Sequence, residues 1–267
     1  MVSGKAVSGK IDDTEDKSKC GGDLLKRLIF VLIILVCLYF VANSVQLGIR
    51  IYRGMKLADE SSAYEINDRQ ARKRILIVGD STGVGTGADD PADSIAGRIA
   101  GEFPFVEIIN KSADGARASD VLEQLNSLED SGFDMVLVQF GGNDILRFTD
   151  LNILKNAAAE ILHTAYEKAS NVIFMSTGNV GSSPAFFPPI NWMYTKRTRK
   201  VKSIFLLISR EKGVEYVDLF REKEEDPFLD DPKRYFAVDL LHPGSDGYGL
   251  WYKELKSQTS LVQILGE

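Results

Sequence analysis

Between residues 74 and 260, short β-rich apolar runs alternate with longer stretches of helical periodicity, and this alternation constrains the fold more than any other feature of the sequence. Residues 74–78, 105–109, 135–139, 172–176 and 214–217 read as strands. Residues 93–102, 118–128, 151–169 and 192–212 read as helices, and a last helix is expected after Pro243. Strands separated in this way imply a five-stranded parallel sheet covered on both faces, a three-layer α/β/α sandwich. In such sheets function collects at the carboxyl ends of the strands. No internal repeat with a period of about 20–50 residues is present.

Upstream of this domain the character changes. Residues 1–23 mix Lys, Asp, Glu, Gly and Ser without periodicity and read as a disordered charged tail. Residues 24–49 contain an apolar stretch from Leu28 to Ile49, about 22 residues and enough to cross a hydrocarbon core of roughly 30 Å. It is expected to be one N-terminal transmembrane signal-anchor helix; a cleaved signal peptide with a site at Ala42-Asn43-Ser44 is the rival reading. Residues 50–73 then read as a charge-rich juxtamembrane linker that could be helical, and 74–267 as the α/β domain. Basic residues before the apolar run (Lys10, Lys17, Lys19, Lys26, Arg27) slightly outnumber those soon after it (Arg50, Arg53, Lys56, Arg69). This leans toward a single-pass membrane protein with its domain on the periplasmic or extracytoplasmic side.

Composition excludes several classes. A formal net charge of −6 argues against nucleic acid as the main partner, since phosphate binding wants a basic surface. The two cysteines, Cys20 and Cys37, both precede the domain, so it has no disulfide staple. The two histidines, His163 and His242, are far apart and show no metal-ligand spacing, and neither a metal nor a cofactor is expected.

Scarcity makes His242 informative. His163 sits in a helical run without a local polar partner and reads as structural. His242, in Asp239-Leu240-Leu241-His242-Pro243, has a carboxylate three residues before it that could fix its tautomer and stabilise the imidazolium. The nucleophile to match is Ser81, where the first strand runs into Gly79-Asp80-Ser81-Thr82-Gly83. A dinucleotide loop is disfavoured, because the spacing is not G-x-G-x-x-G and Asp80 would oppose a phosphate. No Walker A Lys follows either. The literal G-x-S-x-G match suggests an α/β-hydrolase elbow, but that elbow normally follows several strands, not the first. Two more loops at strand ends complete the set: Asn110-Lys111-Ser112-Ala113-Asp114-Gly115 and Gly141-Gly142-Asn143-Asp144. Taken alone, each is an ordinary polar turn.

In order, Gly79-Asp80-Ser81, Gly115, Gly141-Gly142-Asn143-Asp144 and Asp239-Leu240-Leu241-His242 resemble the four signature blocks of the SGNH, or GDSL-type, hydrolase family, over roughly residues 74–260. The resemblance implies a flavodoxin-like sheet and a lipase- or esterase-like hydrolase. It implies a triad of Ser81, Asp239 and His242, with an oxyanion hole from the Ser81 and Gly115 backbone N–H groups and the Asn143 amide. Thr82 replaces the leucine of the GDSL name, and block two is recognisable only by Asn110 and Gly115.

The resemblance implies an ester substrate, of a lipid or of an acylated glycan. Other readings are an O-acetyl deacetylase or acyltransferase tailoring envelope glycans, and a non-catalytic binding module that kept the fold. The loop from Pro184 to Tyr194 is too apolar for an ordinary solvent loop, so Phe186, Phe187 and Trp192 are candidate substrate contacts, or else a cover for the sheet edge. The basic run Lys196-Arg197-Thr198-Arg199-Lys200-Val201-Lys202 reads as a solvated helix face before a lipid-phosphate site.

Overall fold

The computed structural model describes Gly4, residues 13–67 and residues 70–266. In chain order the elements are α1 (Asp13–Glu60), β1 (Lys73–Gly79), α2 (Ser81–Val84), α3 (Ile95–Glu102), β2 (Val106–Asn110), α4 (Ala118–Asn126), β3 (Phe133–Gln139) and α5 (Gly142–Leu146). There follow α6 (Leu151–Lys168), β4 (Ala169–Met175), α7 (Ile190–Lys212), β5 (Glu215–Val217), α8 (Pro232–Tyr235), α9 (Ser245–Gln258) and α10 (Leu261–Gly266). Each expected strand and long helix is present, with ends displaced by a few residues.

All four strand pairings are parallel, in the order β2-β1-β3-β4-β5. The two-residue period of a strand divides its side chains between two cores. Leu76, Val78, Val136 and Val138 meet α4, α6 and α7 on one face through Val121, Leu125, Ile161, Leu162 and Phe205. On the other face Ile75, Ile77, Met135 and Leu137 meet α3, α9 and α10 through Ile99, Tyr248, Leu255 and Leu261. The chain leaves β1 for the sheet edge at β2 and returns across it to β3, so the topological switch lies between β1 and β3, where ligands bind in open α/β sheets.

The chain divides into two compact units, Met1–Gln46 and Leu47–Glu267. In the first, α1 carries exposed apolar side chains such as Leu28, Phe30 and Leu32, and it is long and apolar enough to cross a membrane. The tail expected over residues 1–23 lies outside the described residues apart from Gly4 and the helical stretch from Asp13, where α1 begins. The second unit starts within α1, well before the first strand. Residues 47–60 are helical, and Ile66 forms an antiparallel bridge with Ile108, each N–H donating to the other's carbonyl (3.1 and 2.9 Å). The stretch expected to be a linker therefore covers part of the exposed edge of β2.

Candidate active site

Gly79 ends β1 opposite Gln139 of β3, and a Cβ there would lie 2.0 Å from the Gln139 carbonyl oxygen, so only glycine lets the two strand ends approach. The chain then turns into α2, whose cap is Asp80: its Oδ1 accepts from the Thr82 backbone N–H (2.9 Å) and from Thr82 Oγ1 (2.7 Å). The threonine standing where GDSL proteins carry leucine thus helps to hold the capping carboxylate. Burial raises the pKa of Asp80 above the usual carboxylate value, against the opposing hydrogen bonds from Thr82. Ser81 is the first residue of α2, so its backbone N–H has no intrahelical acceptor.

Ser81 Oγ lies 3.0 Å from His242 Nε2. On the other side of the ring, His242 Nδ1 lies 2.6 Å from Asp239 Oδ2. Asp239 is buried, and its second oxygen, Oδ1, accepts the backbone N–H groups of Leu241 (3.0 Å) and His242 (3.1 Å). The turn between them places Leu240 at φ 60°, a left-handed conformation uncommon for a branched side chain. The turn holds that residue through hydrogen bonds on both sides: Leu240 N–H donates to Ala237 O (2.9 Å) and Ser183 Oγ donates to Leu240 O (2.6 Å).

Burial disfavours the His242 imidazolium, but the hydrogen bond and negative charge of Asp239, with smaller contributions from Asp114 and Asp80, outweigh it and raise its pKa above 6.5. For Asp239 burial also works against charge, but the hydrogen bond and charge of His242 and the backbone N–H groups of Leu241 and His242 together outweigh it, holding the carboxyl below its usual range. With Asp239 ionised, the neutral imidazole carries its proton on Nδ1 and presents Nε2 as acceptor to the serine hydroxyl.

Asn143 lies in α5 at the end of β3, and its Nδ2 donates one hydrogen bond to Ala116 O (3.1 Å). That fixes the amide and leaves its second proton available. Gly115 has φ +74° and lies one residue before that carbonyl. Asp80, Ser81, Asn143 and His242 line one cleft of about 230 Å³, whose apolar wall is Leu219, Phe228, Phe236, Leu250 and Trp251. Phe186, Phe187 and Trp192 are not on that wall. Phe186 instead meets the Tyr194 ring at 4.5 Å, and Trp192 is 67% exposed. Leu146 and Val180 add to the wall from the segments after β3 and β4, but its larger part was invisible to strand-end reasoning, because it comes from the segment after β5 and from α9.

Two further expectations have concrete outcomes. His163, expected without a local polar partner, faces Glu167 at 3.8 Å one helical turn on, a surface pair of little energetic weight. The basic run of α7 is partly spent on internal partners: Arg199 pairs with Glu222 (2.8 Å), Lys202 with Asp218 (2.7 Å), and Arg197 donates to Thr149 O. Among the described residues no cluster of His, Cys, Asp or Glu could hold a metal ion.

The sequence profile of the GDSL-like lipase/acylhydrolase family matches residues 77–250. The chain belongs to this family. No curated protein sequence matches it. Among solved structures it is similar to TesA, with 19% identity and a TM-score of 0.55, over 72% of this chain and 99% of that one. A G-D-S-L family lipolytic protein from Veillonella parvula gives 17% and 0.55, over 69% and 97%. The extracellular lipase of Streptomyces rimosus gives 17% and 0.52, over 70% and 100%. These likenesses show a shared fold.

Proposed function

We propose that this chain hydrolyses carboxylic esters through an acyl-enzyme, with Ser81 as nucleophile, His242 as general base and Asp239 orienting the imidazole. The observation that carries this reading is the unbroken relay from Asp239 Oδ2 through His242 (2.6 Å) to Ser81 Oγ (3.0 Å) at the topological switch of the sheet. As Ser81 Oγ bonds to the ester carbonyl carbon, His242 Nε2 takes the hydroxyl proton. Collapse of the tetrahedral intermediate breaks the bond to the alcohol oxygen, which leaves with that proton. Water then attacks the acyl-serine by the same path, releasing the acid and restoring Ser81. The developing oxyanion is met by the Ser81 N–H and the second Asn143 amide proton, with the Gly115 N–H as third donor.

The cleft supports a short acyl group. Its volume of about 230 Å³ falls below the roughly 300–1,000 Å³ typical of pockets for drug-sized ligands, and its wall is aromatic and aliphatic. An acetyl ester on an envelope glycan fits this reading better than a long-chain lipid. The apolar part of α1 is proposed to anchor the domain to a membrane, with the domain on the extracytoplasmic side.

The test is labelling by a fluorophosphonate probe, which reacts only with an activated serine. Wild type should be labelled and Ser81→Ala should not. Absence of labelling in folded wild-type protein would favour a binding module over an enzyme.

A further inference from the structure

We propose that the helical segment before the domain, residues 47–60 of α1, positions the acid of the triad: Gly54 lets the helix backbone lie against the Asp239 carboxylate and hold it toward His242. This inference rests on the triad reading of Ser81, His242 and Asp239. Within residues 47–60 Leu47, Arg50, Gly54, Leu57 and Ala58 are half-buried and the others are exposed. Their spacing of three, four, three and one is that of a single helix face, so one side of this segment is docked and the other open.

The segment meets the loop that carries the triad's acid and a second loop at Pro184 and Ala185. A Cβ built on Gly54 would stand 3.0 Å from Asp239 Oδ2, the same oxygen that lies 2.6 Å from His242 Nδ1. One turn back, Arg50 Nη1 donates to the carbonyls of Pro184 (2.6 Å) and Ala185 (2.9 Å). Arg53 Nη1 donates to Val238 O (3.3 Å), next to Asp239. The two loops are themselves joined by Ser183 Oγ donating to Leu240 O (2.6 Å), so the helix closes the third side of a triangle around the Asp239 turn. Closeness is the function of the glycine: any side chain here must push on the carboxylate or lift the helix away from it.

Gly48 supplies an internal control, since a Cβ there would meet nothing within 4 Å. Gly48→Ala and Gly54→Ala raise helix propensity alike, yet only the second touches Asp239. The experiment compares full-length wild type, Gly48→Ala, Gly54→Ala and Gly54→Val in detergent, by kcat and KM against pH on a short-chain ester and by the low-field proton resonance of the Asp239–His242 hydrogen bond. Gly54→Ala is expected to lower kcat several-fold and Gly54→Val about 10²-fold, the order expected for a sub-ångström to 1 Å misplacement of a catalytic group. KM should be little changed, and the acid limb should move to lower pH as His242 loses its raising partner. The resonance should shift in both Gly54 variants and not in Gly48→Ala. If Gly54→Ala matches Gly48→Ala in kcat, pH profile and resonance, or if all three variants lose activity alike, the positioning role is refuted. Should Gly54→Val fail to fold, Gly54→Ala decides alone. Retained activity in Ser81→Ala would instead overturn the functional reading, which keeps the two failures distinct.

Discussion

Asp239 holds His242 with both carboxylate oxygens: Oδ1 accepts the His242 backbone N–H at 3.1 Å, while Oδ2 faces the Nδ1 of the same residue at 2.6 Å. The acid thus fixes both where the histidine begins and which way its ring points. The spacing of three residues is what makes this geometry local, because a single tight turn places backbone and ring on the same carboxylate.

The first prediction concerns pH. A general base works only when neutral, and the pKa of His242 is raised above 6.5, because the hydrogen bond and charge of Asp239 together with Asp114 and Asp80 outweigh burial. The neutral form therefore accumulates at higher pH than for a free imidazole. The acid limb of kcat/KM should lie above 6.5. Asp239→Asn removes the largest raising cause and leaves burial, so the limb should move to lower pH while kcat falls by about 10⁴, the loss seen when a triad acid becomes an amide. A pH profile of the two proteins checks both shifts; an Asp239→Asn limb unmoved or moved upward would contradict the assignment.

The second prediction separates chemistry from binding. Ser81→Ala and His242→Ala should each lower kcat by on the order of 10⁴-fold or more, and the double variant should be no worse than either single one, because the residues act as one unit. Losses that multiply would mean that the two act independently. Single-turnover measurement on a chromogenic short-chain ester reads this directly.

The third prediction addresses the oxyanion. Asn143→Ala deletes one donor and also frees the Ala116 carbonyl that now holds the amide. The expected cost is about 10²–10³-fold in kcat with KM little changed. Full activity on several esters would remove Asn143 from the oxyanion hole.

Why the sequence disclosed some of this and not the rest has a physical basis. The sheet was legible because a two-sided parallel sheet demands apolar runs such as Ile75 to Val78, and each run must be followed by a covering helix. That Ser81 and Asn143 come near one another was legible because strand ends at the switch point collect chemistry, and the His242–Asp239 pair because histidine is scarce and the acid is local to it. The cleft wall was not, since Leu219 and Phe228, from a segment without strand or helix periodicity, meet Trp251 of α9 only through tertiary packing. Residues 50–73 read as a linker because charge on Arg50 and Arg53 suggested solvent. Arg50 is instead half-buried and donates to two backbone carbonyls, and Arg53, though exposed, donates to a third, a use of arginine that composition does not reveal.

The last prediction concerns acyl length. Leu250 lines the cleft from α9 and is half-buried, so Leu250→Ala should deepen the acyl site at less structural cost than truncating Trp251, which packs against both Phe228 and Tyr248. A methylene in an apolar pocket is worth about 1–3 kcal/mol, or roughly 10–200-fold in kcat/KM. Across a series of 4-nitrophenyl esters from acetyl to octanoyl, wild type should prefer the shortest members. Leu250→Ala should move the optimum toward longer chains, with acetate turnover reduced by less than about tenfold, since the triad is untouched. An unchanged chain-length profile would place the acyl group elsewhere, and the alcohol part of the substrate would then be the portion lying against Leu250 and Trp251.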